Sequence, residues 1–270
     1  MEGYNQGDGL TSGGMSEQQQ FQLFEESLRK INRLVFDLLL KEVVPLAVSV
    51  EENKERMVDR VNSQMDTLTL EAGESGESAA ETAEETTSQR STIQGAPSHK
   101  LVQRLADTTD EDRYNRVLDR VRNIGFQVGS KLSELLIFTN NPNLQFKDMD
   151  LLLVMKFICR DVWKQLYGKQ IDNLKTNHRG TFYLTDNDYQ PIRQFSLEEN
   201  ASKRELKLTE PYLEFPVGII KGVLSSLGYP PEQVLCLATF VDRQNKGDAE
   251  TSFAKGTSFH VQITSNTASA

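Results

Sequence analysis

Phe24, Leu28, Ile31, Val35 and Leu38 recur at spacings of four and three, which places them on one stripe of a helix. Ser16 suits the N-cap of that helix, and Glu17 suits its positive end. From Leu34 onward Phe36, Leu39, Leu40, Val43 and Val44 widen the stripe. A helix apolar over so much of its circumference must be covered on more than one side. It is therefore either a central core helix, or a helix with one side on its own domain and the other on a second chain. After a short helix at 101–105, a second long helix is predicted over 110–138. Its stripe is Tyr114, Val117, Leu118, Val121, Ile124, Val128, Leu132 and Leu135. Gly125 and Gly129 lie four apart on that face, where their use is close approach of another backbone or of a bulky side chain. A third helix is predicted over 147–167, with Gly168 as its stop and Lys156, Arg160 and Lys164 as its wet stripe.

The rhythm then changes. Residues 170–176 and 181–186 read as two strands joined by a turn at 177–180. Residues 191–209 read as a polar loop, and 215–227 as a fourth helix stopped by Gly228. Strands at 234–242 and 257–264 follow. The order of helices, hairpin, helix, hairpin predicts an α+β fold, with four helices over one face of a twisted four-stranded antiparallel sheet.

Three stretches fall outside this pattern. Residues 1–15 and 265–270 read as a disordered arm and tail. Residues 53–98 read as an acidic disordered insertion into a single 16–264 domain, because low hydrophobicity with one-sign charge cannot offset ordering entropy. Ser78 and Thr82 each precede a glutamate by three, the pattern of an acid-directed kinase site as well as of a passive acidic tract.

Composition sharpens the picture. The chain has 270 residues, and without its polar stretches about 225 remain, enough for one buried core. The net charge is −9, yet residues 66–89 hold seven acidic residues and no basic one. The rest is close to neutral and carries no basic footprint for nucleic acid or anionic lipid. The most apolar run, 34–50, is interrupted by Asp37, Lys41, Glu42 and Pro45, which excludes a membrane span. Cys159 and Cys236, both in apolar surroundings, predict a reducing cytosolic compartment. The polar, acidic start is neither a secretory signal nor a transit peptide.

No catalytic, cofactor or metal site is expected. His99, His178 and His260 lack metal-ligand spacing, no phosphate loop follows a strand, and no serine sits in a nucleophile elbow. So much apolar surface without chemistry points to binding partners.

The segments RVRNIGFQVGSKLSELLIF (120–138), DLLLVMKFICRDVWKQLYGKQIDNLKTNHRGTFYL (150–184), FPVGIIKGVLSSLGY (215–229) and FHVQI (259–263) resemble the Bet-three-like small subunits of the transport protein particle, TRAPP. The likeness runs nearest to the branch called Trs-thirty-three in yeasts and TRAPPC-six in animals. It implies the same helix-over-sheet fold and a heterodimer with the Bet-three subunit through the first two helices. It also implies a scaffold role, beside other TRAPP subunits, in a vesicle-tethering complex that promotes nucleotide exchange on Rab-type GTPases. That places the chain in the cytoplasm, peripheral at Golgi and ER–Golgi membranes. The expected interface takes in Phe24, Leu28, Ile31, Val35 and Leu38, with Val121, Gly125, Val128 and Leu132 in contact or in support. In the family the Bet-three subunit carries an acylated cysteine near the start of its third helix. Residues 140–150 here hold no cysteine, so acylation does not carry over. The alternative is a domain that binds an apolar small molecule such as a lipid.

Overall fold

Asn32, which is not helical although Gln19, Leu23 and Glu26 before it are, opens a long helix by accepting the Leu34 N–H at 2.9 Å on its side chain. In this computed structural model residues 32–71, 96–140, 150–177, 179–242 and 254–264 are described, together with Ser16, Gln19, Leu23 and Glu26. Helix α1 (Arg33–Glu71) contains Pro45. A proline has no N–H to give the carbonyl four residues back. Here Tyr212 supplies the donor instead, its hydroxyl lying 3.3 Å from the Lys41 carbonyl.

The composition placed a disordered insertion over 53–98, but α1 continues into it as far as Glu71, and residues 72–95 lie outside the described residues. The middle of α1 is held by charge pairs whose partners lie far along the chain. Glu51 accepts from Arg120 at 3.0 Å, and Glu52 pairs with Arg113 at 3.2 Å and Arg104 at 3.3 Å. Glu55 pairs with Arg116 at 3.0 Å and Arg113 at 3.5 Å. These arginines belong to α2 (Ser98–Ala106) and α3 (Glu111–Asn140), so the cluster ties three helices together. Burial alone would raise the Glu51 carboxyl, but the hydrogen bond and charge of Arg120, with the charges of Lys54 and Arg116, outweigh it and hold it below the usual glutamate range. A lowered folded pKa stabilises above the ordinary glutamate range, and the contribution is lost as pH falls through the folded value. Glu51→Gln is therefore expected to lower the urea midpoint near neutral pH and to flatten its decline as pH falls below about 4.5. A variant midpoint that falls with acid as steeply as the native one would show that Glu51 carries no part of this limb.

Two helical pieces, α4 (Leu151–Phe157) and α5 (Trp163–Tyr167), are joined by a wide π-type turn, Ile158–Val162. The periodicity predicted one unbroken helix. The Cys159 carbonyl instead accepts the Ile171 N–H at 3.0 Å, tying the turn to the chain entering the sheet. Gly168 ends α5 in the left-handed conformation, φ 72°, as expected for a stop. Residues 141–149, including the expected start of this helix, lie outside the described residues.

The sheet has the order β1-β2-β4-β3 and is antiparallel throughout. Its strands are β1 (Asn173–Thr176), β2 (Thr181–Asp186), β3 (Val234–Asp242) and β4 (Lys255–Ile263). Phe182, Leu184, Phe259, Val261, Val234 and Cys236 face the helices and are buried. This alternation is the one the two predicted hairpins required. Between β2 and β3 the expected polar loop 191–209 is in part helical. A 3-10 turn (Gln190–Phe195) precedes α6 (Lys203–Thr209), which starts in a capping box between Ser202 and Glu205. The fold class is thus the predicted one, with more helical pieces than four.

The last helix, α7 (Glu214–Ser226), packs against β3 on one side and α3 on the other. The contact with α3 is backbone on backbone. A Cβ at Gly125 would strike the Phe215 carbonyl, and one at Gly129 the Ile219 carbonyl. Reciprocally, Gly218 faces the Arg122 carbonyl and Gly222 the Phe126 carbonyl. Ser130 and Ser226 close the seam with hydroxyls 2.8 Å apart.

Candidate partner interface

Packing divides α1 into two faces. Leu40, Val43, Val44, Ala47 and Val48 are buried against the chain's own core. Leu34, Val35, Leu38, Leu39 and Leu46 point the other way and are 52–61% exposed. Five large aliphatic side chains left open on one helix form a contiguous apolar strip of the kind that marks an interaction surface. The helix is held firmly at this end. The Arg33 guanidinium donates to the Tyr167 carbonyl at the end of α5 and to Gln190 at 3.0 Å, and Gln190 donates to Asp37 at 3.0 Å. A groove of about 380 Å³ runs beside the strip between Leu34, Asp37, Lys41, Gln190 and Arg193. A second, of about 550 Å³, lies between Pro45, Val102, Phe195, Leu208 and Tyr212. Both are open grooves along α1.

Of the residues expected at the interface, Val35 and Leu38 stand on the open face. Phe24, Leu28 and Ile31 lie outside the described residues. Val121 and Gly125 are fully enclosed by the chain itself, Gly125 against α7, so they can only support a partner face. Val128 and Leu132 are half-buried and pack on the same core. The structure therefore brings the α1 residues together on one surface and assigns the α3 residues to internal packing.

A second open surface went unread in the sequence. The far side of the sheet exposes Tyr183, Leu235 and Leu237. His260 stacks on Tyr183 with ring centroids 4.8 Å apart, and the register sets Tyr183, His260 and Leu237 in one row across β2, β4 and β3. Strict alternation of these positions along the strands was the signal that could have found it.

Cys159 and Cys236 are buried free thiols, each pushed up to about 12 by burial and so chemically quiet near neutral pH. Among the described residues no group of His, Cys, Asp and Glu is placed to hold a metal, and no helix is long and apolar enough to cross a membrane.

Residues 36–264 match the family model described as transport protein particle (TRAPP) component. The chain belongs to the TRAPP family. Among curated TRAPP proteins, it is 41% identical over 120 residues to trafficking protein particle complex subunit 6b of Danio rerio, a match spanning 44% of this chain and 71% of that one. It is 43% identical over 113 residues to subunit 6B of Homo sapiens, spanning 42% of this chain and 66% of that one. These relatives place it on the subunit-6 branch, and they are named as complex subunits rather than as enzymes. A solved TRAPP structure, subunit 3 of Naegleria fowleri covalently bound to palmitic acid, is 13% identical, with a TM-score of 0.41 and coverage of 62% of this chain and 89% of that one.

Proposed function

We propose that this TRAPP component is a non-catalytic structural subunit that pairs with the Bet-three subunit through the open face of α1. The observation that carries the reading is the two-sidedness of α1: one face is committed to its own core, and Leu34, Val35, Leu38, Leu39 and Leu46 remain uncovered. Burying such a strip gains on the order of 25 cal/mol per Å², and a partner is what supplies that burial. In this reading the chain is a scaffold in the tethering assembly. Nucleotide exchange on a Rab-type GTPase belongs to the assembled complex, in ER-to-Golgi and Golgi traffic. A quiet pair of thiols and a neutral body are consistent with a role in assembly.

The test uses the exposure of the strip. Val35→Asp with Leu38→Asp is expected to abolish co-purification with the Bet-three subunit while leaving the melting temperature of the chain within about 2 °C of native, since both side chains face solvent in the free chain. Undiminished co-purification from the folded double variant would overturn the interface. The alternative, a lipid-binding domain, is met by native mass spectrometry of the purified chain, where a stoichiometric bound lipid would favour it.

A further inference from the structure

The two edges of the sheet are finished differently. A strand at an edge offers a row of unpaired N–H and C=O groups, and folded chains blunt such rows with short strands, lysine, proline, bulges or a covering element. β1 is blunted twice over: it has four residues, and Lys175 stands exposed within it. β3 shows no such device in its own sequence. It is nine residues long, with no proline and no charge before Asp242. Its register with β4 runs unbroken from Val234 to Asp242, so no bulge twists it away.

The ladder fixes which groups this edge offers. The Ile263 N–H goes to the Gly180 carbonyl on the β2 side, and the Thr264 N–H to the Gln233 carbonyl on the β3 side. Backbone groups alternate in direction along an antiparallel strand, so the even-numbered residues of β4 bond to the odd-numbered residues of β3. Cys236, Ala238 and Phe240 therefore turn their N–H and C=O outward, and among the described residues these groups meet no partner. Val234 faces the same way but gives its N–H to the Pro231 carbonyl.

We infer that this edge pairs antiparallel with the same edge of a second copy of the chain, about a twofold axis at Ala238, so that the two sheets run on as one. An isologous contact must be complementary to itself, and β3 meets that condition. Ala238 is the middle of the strand, so the overlap is complete and the smallest side chain stands on the axis. On the face toward the helices, Cys236 then lies opposite Phe240 of the second copy, a small side chain against a large one. On the open face Leu235 lies opposite Val241, and Leu237 opposite Thr239, of the second copy. No charge meets a like charge: Asp242, bonded to Lys255 at 2.6 Å, comes opposite Val234. The outward groups close as hydrogen-bonded pairs that exchange two bonds each, about six bonds in all. Leu235 and Leu237, half exposed in the single chain, gain apolar neighbours across the axis. The contact is separate from the candidate partner face, since α1 packs on α2, α3 and the 3-10 turn, whereas β3 packs on β4 and α7. It stands or falls independently of the reading of α1.

The test is sedimentation velocity of the full chain over about 1–100 µM, where a small interface shows itself. The native chain is expected to dimerise with a dissociation constant on the order of 10 µM. Leu237→Lys with Thr239→Lys sets like charges opposite each other and is expected to weaken the dimer at least tenfold, and Leu237→Glu with Thr239→Glu to do the same. Both positions are exposed, so each variant is expected to melt with the native chain when dilute. Mixed in equal amounts, the lysine and glutamate variants are expected to recover a dimer at least as tight as the native one. Thr239→Lys mixed with Leu237→Glu, one change per chain, repeats this at the least cost to folding. A native chain that stays monomeric to the top of the range would overturn the inference. So would a dimer that both variants retain, or folded variants that stay apart when mixed. A dimer lost instead in Val35→Asp with Leu38→Asp would put the second copy on α1 and overturn it as well.

Discussion

Replacing Gly222 with alanine is expected to destabilise the domain by about 2 kcal/mol, although helix propensity by itself favours alanine over glycine by about 1 kcal/mol in the opposite direction. The sign is the content of this prediction. Gly222 sits inside α7, where an added methyl gains propensity and loses nothing if the space is open. The space is not open: a Cβ there would overlap the Phe126 carbonyl and lie 3.0 Å from the Phe126 Cα, both backbone atoms of α3. Backbone cannot swing aside as a side chain can, so the two helices must separate along the whole seam that Gly125, Gly129, Gly218 and Gly222 create. A domain of this size loses roughly 2–4 °C of melting temperature per kcal/mol, so a fall of ~4–8 °C is expected by circular dichroism. Gly222→Leu should exceed that and leave little folded protein. Gly228→Ala is the control. Gly228 is left-handed at φ 94° with nothing within 4 Å of the added atom, so its cost is strain of about 1–2 kcal/mol without a clash. If Gly222→Ala raises the melting temperature, the helices are not in backbone contact.

That seam also shows what the sequence made legible. Gly125 and Gly129 stand out because glycine is costly inside a helix with so regular a stripe, and close packing was the reason available. Their counterparts, Gly218 and Gly222, repeat the same spacing in FPVGIIKGV, and only the pairing of α3 with α7 gives the repeat its meaning. The two hairpins were legible because period-two alternation and a turn at 177–180 are local signals. The continuation of α1 beyond residue 53 was not, because its support comes from Arg104, Arg113, Arg116 and Arg120, about 50 or more residues away, and composition cannot register a charge partner at that range. The capping box at Ser202 and Glu205 was readable in the loop assigned to 191–209 and would have shortened it. For the interface the limit is geometric. A helix apolar around most of its circumference announces that two sides are covered, yet which residues take which side is decided by the packing of α2, α3 and the 3-10 turn against it. Val35 and Leu38 fell on the open side, Val121 and Gly125 on the closed one.

Asp186→Ala is expected to cost more than any single change on the surface of this protein, about 3–5 kcal/mol, the range for breaking a buried ion pair from one side. Asp186 ends β2 fully enclosed, and its carboxylate serves three donors. Oδ2 accepts the Trp163 Nε1–H at 2.8 Å, while Oδ1 accepts the Lys169 ammonium at 2.5 Å and the Asp188 N–H at 2.9 Å. Trp163 is itself the centre of the aromatic cluster, 4.8 Å from Tyr167 and 5.3 Å from Phe259 between ring centroids. One carboxylate therefore fixes the core tryptophan of α5 to the sheet and neutralises the lysine that caps the approach to it. Removing it strands an indole N–H in a dry core and leaves the ammonium only its pairing with Asp172, at 2.9 Å. Lys169→Met should be destabilising as well, since it leaves the Asp186 charge with neutral donors only. Changing both, Asp186→Leu with Lys169→Met, should recover a substantial part of the summed loss, because no uncompensated charge remains. The alkaline limb carries a matching signature. Burial alone would lower the Lys169 ammonium, but Asp186 and Asp172 together outweigh it and hold it above the ordinary lysine value. A raised folded pKa stabilises fully below the unfolded value and is lost as pH rises through the folded one. The native chain should therefore lose stability more steeply above about pH 10.5 than the double variant does. Equal alkaline slopes, together with an additive double-mutant cycle, would mean that Asp186 acts only as an acceptor for Trp163 and that the lysine pairing contributes nothing.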